Sequence, residues 1–187
     1  MNNIYIKLAR DSIKYYFSNQ KYLPVPDDIS NDLKKQKSGC FVSLHLKNQP
    51  KGKNPAFIKT SAGKLRGCIG TISATQKNLG LEIIKNAVSA ATRDPRFEPL
   101  KKDELKDIKI SIDVLEKPEP IDNIAKLNPK KYGIIIKHAD GRTGLLLPNI
   151  EGVDSVEKQI AIAKQKAGIL SHESIFIFRF KVKRYEE

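Results

Sequence analysis

Apolar side chains at Tyr5, Leu8, Ala9, Ile13, Tyr16 and Phe17 recur at the spacing of one helical face, so the chain reads as opening with an amphipathic helix. Tyr22-Leu23-Pro24-Val25-Pro26 closes it, because proline lacks the backbone N–H that a helix needs. Residues 27–38 are polar and read as a loop or frayed turn. Phe41-Val42-Ser43-Leu44-His45-Leu46 has strand composition, residues 48–54 read as a hairpin loop, and Ala56-Phe57-Ile58-Lys59 as a short return strand before a turn at Ser61-Ala62-Gly63. Asn78 is an N-cap candidate for a second helix whose face is Leu79, Ile83, Ala87 and Ala90. That helix runs to Thr92, and the two prolines of Arg93-Asp94-Pro95-Arg96-Phe97-Glu98-Pro99 turn the chain out of it. Residues 103–107 read as a short polar turn or helical piece.

Ile108, Ile110, Ile112 and Val114 alternate with Lys109, Ser111 and Asp113, the pattern of a strand with one buried and one wet face, closed by Pro118 and Pro120. Gly133-Ile134-Ile135-Ile136-Lys137 and Gly144-Leu145-Leu146-Leu147 flank Asp140-Gly141, a hairpin signal. Asp154 and Glu157 have capping-box spacing ahead of a helix through Val156, Ile160, Ala163 and Ala167, with Gly168 as its C′ residue. Phe176, Phe178, Phe180 and Val182 then alternate with polar positions in a closing strand. Strands outnumber helices and hairpins join most of them. The fold class is therefore α+β: a mixed, largely antiparallel sheet flanked by helices, with residues 1–187 as a single domain. The opening helix and the first two strands are candidates for a separate lobe, but no boundary is visible.

The 187 residues carry 34 basic and 21 acidic side chains, a formal charge of +13. Such a balance permits binding to nucleic acid, a nucleotide or an acidic partner without demanding it, since the lysines are dispersed. No apolar run reaches the ~18 residues of a membrane span, and no apolar stretch before a cleavage site marks a signal peptide. Two cysteines and three histidines make neither a disulfide scaffold nor a zinc site, so a reduced, cytoplasmic protein without metal or cofactor is expected.

Arg66-Gly67-Cys68-Ile69-Gly70 is the segment with chemical content. Read as a glycine-flanked turn, it would let a ligand approach and aim backbone N–H groups at an anion. Arg66 would favour the Cys68 thiolate, the reactive form. The same residues also fit a structural cysteine at a glycine bend, and none of His45, His138 or His172 is near it in sequence.

Leu65-Arg66-Gly67-Cys68-Ile69-Gly70-Thr71 resembles the hallmark of the AMMECR domain family, which also occurs as protein A of the AmmeMemoRadiSam system. Gly39-Cys40-Phe41-Val42-Ser43-Leu44, Asn86-Ala87 and Ala90-Ala91 followed by Asp94-Pro95-Arg96-Phe97, Ser111-Ile112-Asp113-Val114-Leu115, Gly144-Leu145-Leu146-Leu147-Pro148 and Lys166-Ala167-Gly168 resemble further signatures, over roughly residues 4 to 184. Thr92 replaces a frequent aromatic, Gln165 replaces a common cysteine, and residues 47–64 are longer than usual. The Gln165 departure argues against a catalytic cysteine pair there. The resemblance implies a larger and a smaller lobe and a cleft near the glycine–cysteine segment, but no reaction. Two readings follow. One is a cysteine-dependent enzyme, with Cys68 and Arg66 catalytic, Gly67, Gly70, Asn86, Asp94 and Arg96 binding substrate, and nucleotides or RNA bases as the substrate class. The other is a binding or adaptor protein, for nucleic acid or for the Memo-like and radical-SAM proteins that the resemblance implies. Exposed sheet edges would also allow a homodimer.

Overall fold

The computed structural model describes residues 3–27, 29–47, 59–60 and 63–187. The expected loop over residues 48–54, the return strand before Lys59 and the turn at Ser61-Ala62 lie outside the described residues. The elements in order are α1 (Ile4–Asn19), α2 (Asn31–Lys35), β1 (Cys40–Leu46), β2 (Lys59–Thr60), β3 (Gly63–Gly70), α3 (Leu79–Thr92), β4 (Ile108–Leu115), β5 (Glu119–Ile121), β6 (Gly133–Lys137), β7 (Thr143–Leu146), α4 (Val156–Lys166), β8 (Phe176–Phe180) and β9 (Val182–Glu186). Short 3-10 turns occupy Lys102–Asp107 and Ile124–Lys126.

The class is α+β, but with two sheets in place of one. A five-stranded sheet has the order β2-β3-β1-β4-β9 and a four-stranded sheet the order β5-β8-β6-β7. The chain divides into two compact units, Met1–Val114 with Arg184–Glu187, and Leu115–Lys183. The boundary falls inside β4, between Val114 and Leu115, and inside β9, between Lys183 and Arg184, where no glycine, proline or polar turn punctuates the sequence, so the pattern carried no sign of it. The closing alternation is likewise two strands, β8 in the smaller sheet and β9 in the larger.

In the first unit β1 pairs antiparallel with both β3 and β4. A separate lobe of the opening helix and first strands is thereby excluded, because β1 lies at the centre of the main sheet. Val42 and Leu44 of β1 and Ile110 and Ile112 of β4 share one core with Ala9 and Ile13 of α1 and Ile83, Ala87 and Ala90 of α3. Helix α1 ends before the prolines: Gln20 takes a left-handed conformation (φ 53°) and donates its N–H to Tyr16 O at 2.8 Å. The polar stretch 27–38 contains α2, pinned by the fully buried Leu33. Ser111 and Asp113 of β4, expected on a wet face, are buried. Asp113 is held there by Arg184, whose Nε and Nη2 donate to its two carboxylate oxygens at 2.7 and 2.9 Å, and a paired carboxylate tolerates burial.

In the second unit the β6–β7 hairpin turns through Gly141 at φ 94°, and β8 pairs with β6 and β5. Pro120 sits on the edge strand β5, where a missing N–H is harmless. The cap of α4 is Ser155, whose side chain accepts from Lys158 N–H, and not Asp154. Gly168 follows the helix at φ 64°.

One packing device recurs in both units. Gly67 of β3 lies under the carbonyl of Ala90 in α3, and Gly144 of β7 under the carbonyl of Ala163 in α4. A Cβ at either glycine would fall inside the carbonyl oxygen. Helix and sheet therefore approach as closely as they do only because the strand lacks a side chain there. Gly67→Ala is expected to lower unfolding stability by about 2–3 kcal/mol through overpacking. Gly80→Ala in α3, where the tightest neighbour of a Cβ is the end of the Ile29 side chain at 3.3 Å and not a backbone carbonyl, should change it by no more than about 1 kcal/mol. Urea unfolding midpoints of the two variants check this.

Candidate functional site

The candidate site is built on β3 and on the segment that leaves α3. Residues Gly63–Gly70 are extended strand, so the expected turn at Cys68 is not there. Neither Gly67 nor Gly70 has positive φ, and their role is steric: Gly67 makes room for α3 and Gly70 for the ring of Phe41. The anion-cradling nest read from the glycines therefore has no geometric basis.

Pairing of β3 with β1 slips between Leu44 and His45. Leu44 faces Gly67 and His45 faces Leu65, leaving Arg66 as the extra residue of a bulge. A bulge re-aims a side chain. The Arg66 guanidinium reaches Glu104, with Nε to Oε1 at 3.1 Å and Nη2 to Oε2 at 3.2 Å, and donates from Nη1 to Glu98 O at 2.8 Å. It ties the strand to the segment after α3 and is not aimed at the thiol.

The arginine beside Cys68 is Arg96. After α3, Pro95 turns the chain back, and the buried Asp94 presents its carboxylate to the strand. Asp94 Oδ2 accepts the Cys68 backbone N–H at 2.8 Å. The Arg96 guanidinium donates to both Asp94 oxygens, from Nε at 3.0 Å and from Nη2 at 2.7 Å, and Nη2 also reaches Cys68 O at 3.2 Å. The Arg96 N–H closes the loop onto Asp94 Oδ1 at 3.1 Å. Burial alone would raise the Asp94 pKa; the Arg96 side chain and the two backbone N–H groups outweigh it and hold the carboxyl below its ordinary value. The Arg96 side chain is 47% exposed, and its Nη1 makes no hydrogen bond among the described residues. Asp94 and Arg96 thus form the ion pair that closes the helix end, and that same pair is fastened to the Cys68 peptide.

Cys68 is half-buried, and its Sγ accepts from Ser43 Oγ at 3.1 Å. Burial pushes its pKa above the ordinary thiol value; the Ser43 hydrogen bond and the Arg96 charge pull the other way without reversing the shift. Cys40 is fully buried, and burial pushes its thiol to about 12. Ser43 faces Cys68 on one side and Ser111 on the other, so a polar row crosses the sheet on the face away from the α3 core.

Asn86 is a bridge within the fold. Its Nδ2 donates to Cys40 O at 3.0 Å and lies 3.4 Å from Thr71 Oγ1, joining α3 to the end of the β1–β3 pair where β1 starts and β3 finishes. Composition and motif missed Glu82. It is buried, and it accepts from Thr71 Oγ1, Thr75 N–H, Thr75 Oγ1 and Gln76 N–H at 2.7–2.9 Å, which anchors the chain after β3. A single acid beside the apolar stripe of α3 was the available signal. Ser43 was missed as well, because a serine in an alternating strand looks solvent-facing. Among the described residues no group of three or more His, Cys, Asp or Glu side chains is placed to hold a metal ion, and no described helix is long and apolar enough to cross a membrane.

The same architecture occurs in the crystal structure of an uncharacterized protein from Pyrococcus horikoshii. That structure superposes with a TM-score of 0.83 at 29% identity, covering 98% of this chain and 89% of the other. A Thermotoga maritima protein is 46% identical over 183 residues, covering 97% of both chains. A Clostridium acetobutylicum protein is 44% identical over 184 residues, but there this chain spans only 36% of the relative's length. The AMMECR1 family model matches residues 6–185, which takes in every strand and helix described above apart from the ends of α1 and β9, and the chain belongs to the AMMECR1 family.

Proposed function

We propose that the protein is a binding protein whose Arg96 guanidinium, held on the edge of β3 beside Cys68, receives an anionic group of its ligand, a phosphate or a carboxylate. The observation that carries this is the pinning of Arg96. Asp94 fixes the Nε and Nη2 side of the fork, and the Nη1 side stays exposed with its donors unused among the described residues. A guanidinium pre-organised in this way loses little freedom on binding an oxyanion. The net charge of +13 favours an anionic ligand of any size.

A titration with inorganic phosphate and with adenosine monophosphate, followed by NMR of Arg side-chain Nε–H resonances, tests the reading. Saturable shifts of Arg96 are expected. Arg96→Lys, which keeps the charge but not the fork, should weaken binding about tenfold. Absence of saturable shifts, or unchanged affinity in the variant, overturns it.

The second reading, a cysteine nucleophile, draws on the Ser43 hydroxyl and the Arg96 charge, which both favour the thiolate. The two readings part on the pH dependence of alkylation of Cys68, with Cys40 as internal control. The binding reading expects an apparent Cys68 pKa above the ~8.5 of a free thiol, rising further in Arg96→Gln, with Cys40 protected until unfolding. A Cys68 pKa below ~8.5 transfers the proposal to the nucleophile.

A further inference from the structure

We propose that the first unit carries a second, separate binding groove, which takes single-stranded nucleic acid. It is an open groove of about 610 Å³ between the face of α1 that carries Arg10, Lys14 and Phe17, Lys47 just after β1, and the 3-10 turn that carries Lys102 and Lys106. None of these residues belongs to the Arg96 site, and the inference does not depend on that reading.

The charge arrangement points to the ligand. Five cations line one groove. Arg10 is spent within the fold: it donates to Leu105 O and Ile108 O and is paired with both carboxylate oxygens of Glu187. That leaves four lysines, all exposed. Lys47 donates to Lys106 O at 2.7 Å and Lys102 to Ser18 Oγ at 3.3 Å, while Lys14 and Lys106 make no side-chain hydrogen bond or ion pair among the described residues. Asp103 and Asp107 are on the same 3-10 turn but do not line the groove. Ammonium groups brought to one groove from three separate segments suit a chain of phosphates better than a single one.

The apolar side of the groove selects among polyanions. Among the described residues Phe17 is the one aromatic ring lining it, one turn beyond Lys14 on the same face of α1. A base stacks on such a ring while neighbouring ammonium groups hold the flanking phosphates, the usual arrangement for strands bound without sequence preference. A duplex keeps its bases stacked inside and has no use for the ring.

Fluorescence anisotropy with labelled ten-nucleotide RNA and DNA of mixed sequence tests the proposal and separates the two sources. Three neutralised phosphates, at about −0.7 in log–log slope each, predict a roughly 20-fold loss of affinity between 50 and 200 mM salt. Lys14→Glu, Lys102→Glu and Lys106→Glu combined should abolish that slope. Lys130→Glu, Lys131→Glu and Lys158→Glu combined, with the same change in net charge on exposed sites of the other unit, should leave most of it. Phe17→Leu, which keeps an apolar side chain in the core but removes the ring, should cost about fivefold or more. The proposal fails if neither oligonucleotide binds, if both triple variants lose affinity equally, or if a duplex or inorganic polyphosphate of equal charge binds as well as the single strand.

Discussion

The carboxylate of Asp94 is the interaction on which the candidate site depends. It is a nearly inaccessible charge that would be costly to bury alone, and it is stable where it lies because it accepts from a strand N–H, from its own loop and from the Nε and Nη2 of a guanidinium. Through it the exit of α3 is fastened to β3 at Cys68. Arg66 makes the complementary fastening, from the bulge in β3 to Glu104 and the carbonyl of Glu98. The two arginines of the sequence signatures therefore lace one strand to one loop from either end. Only Arg96 keeps part of its hydrogen-bonding capacity for something else.

The second constraint is steric. Two strand glycines let two helices settle onto their sheets with carbonyl oxygens where a Cβ would be. Both lie in motifs that the sequence made conspicuous, and both were explicable without chemistry. Glycine beside a cysteine suggested a ligand cradle, yet here it fixes the distance between helix and sheet. That distance in turn sets how far the Asp94 loop reaches over β3.

Much of the fold was readable, because period and punctuation agree. The α1 and α3 stripes, the Asn78 cap, the Asp140-Gly141 hairpin and the span of β4 all stand where the pattern puts them. What was not readable depends on contacts between distant residues. Asp113 looked solvent-facing because its partner Arg184 is 71 residues away. The division into two units is invisible because it falls inside β4 and β9, where no turn residue marks it. Cys68, Asp94 and Arg96 were named from the residues and their motif, and the structure brings them together. Arg66 was assigned to the thiol because it is close in sequence, and only the bulge shows why it points elsewhere. Glu82 and Ser43 carry no local signal beyond their side of a helix or strand.

The measurement that tests this account most directly is the unfolding free energy of the protein and of Asp94→Asn as a function of pH. A carboxyl whose pKa is lowered by folding stabilises the protein above its unfolded-state pKa of about 3.9, and that contribution is lost as pH falls through the lower folded-state value. A gap of about 2 kcal/mol between protein and variant is expected at neutral pH. The gap should narrow in acid below about pH 4. A gap that is absent at neutral pH, or one that stays constant into acid, would contradict the claim that the ionised Asp94 holds the site together.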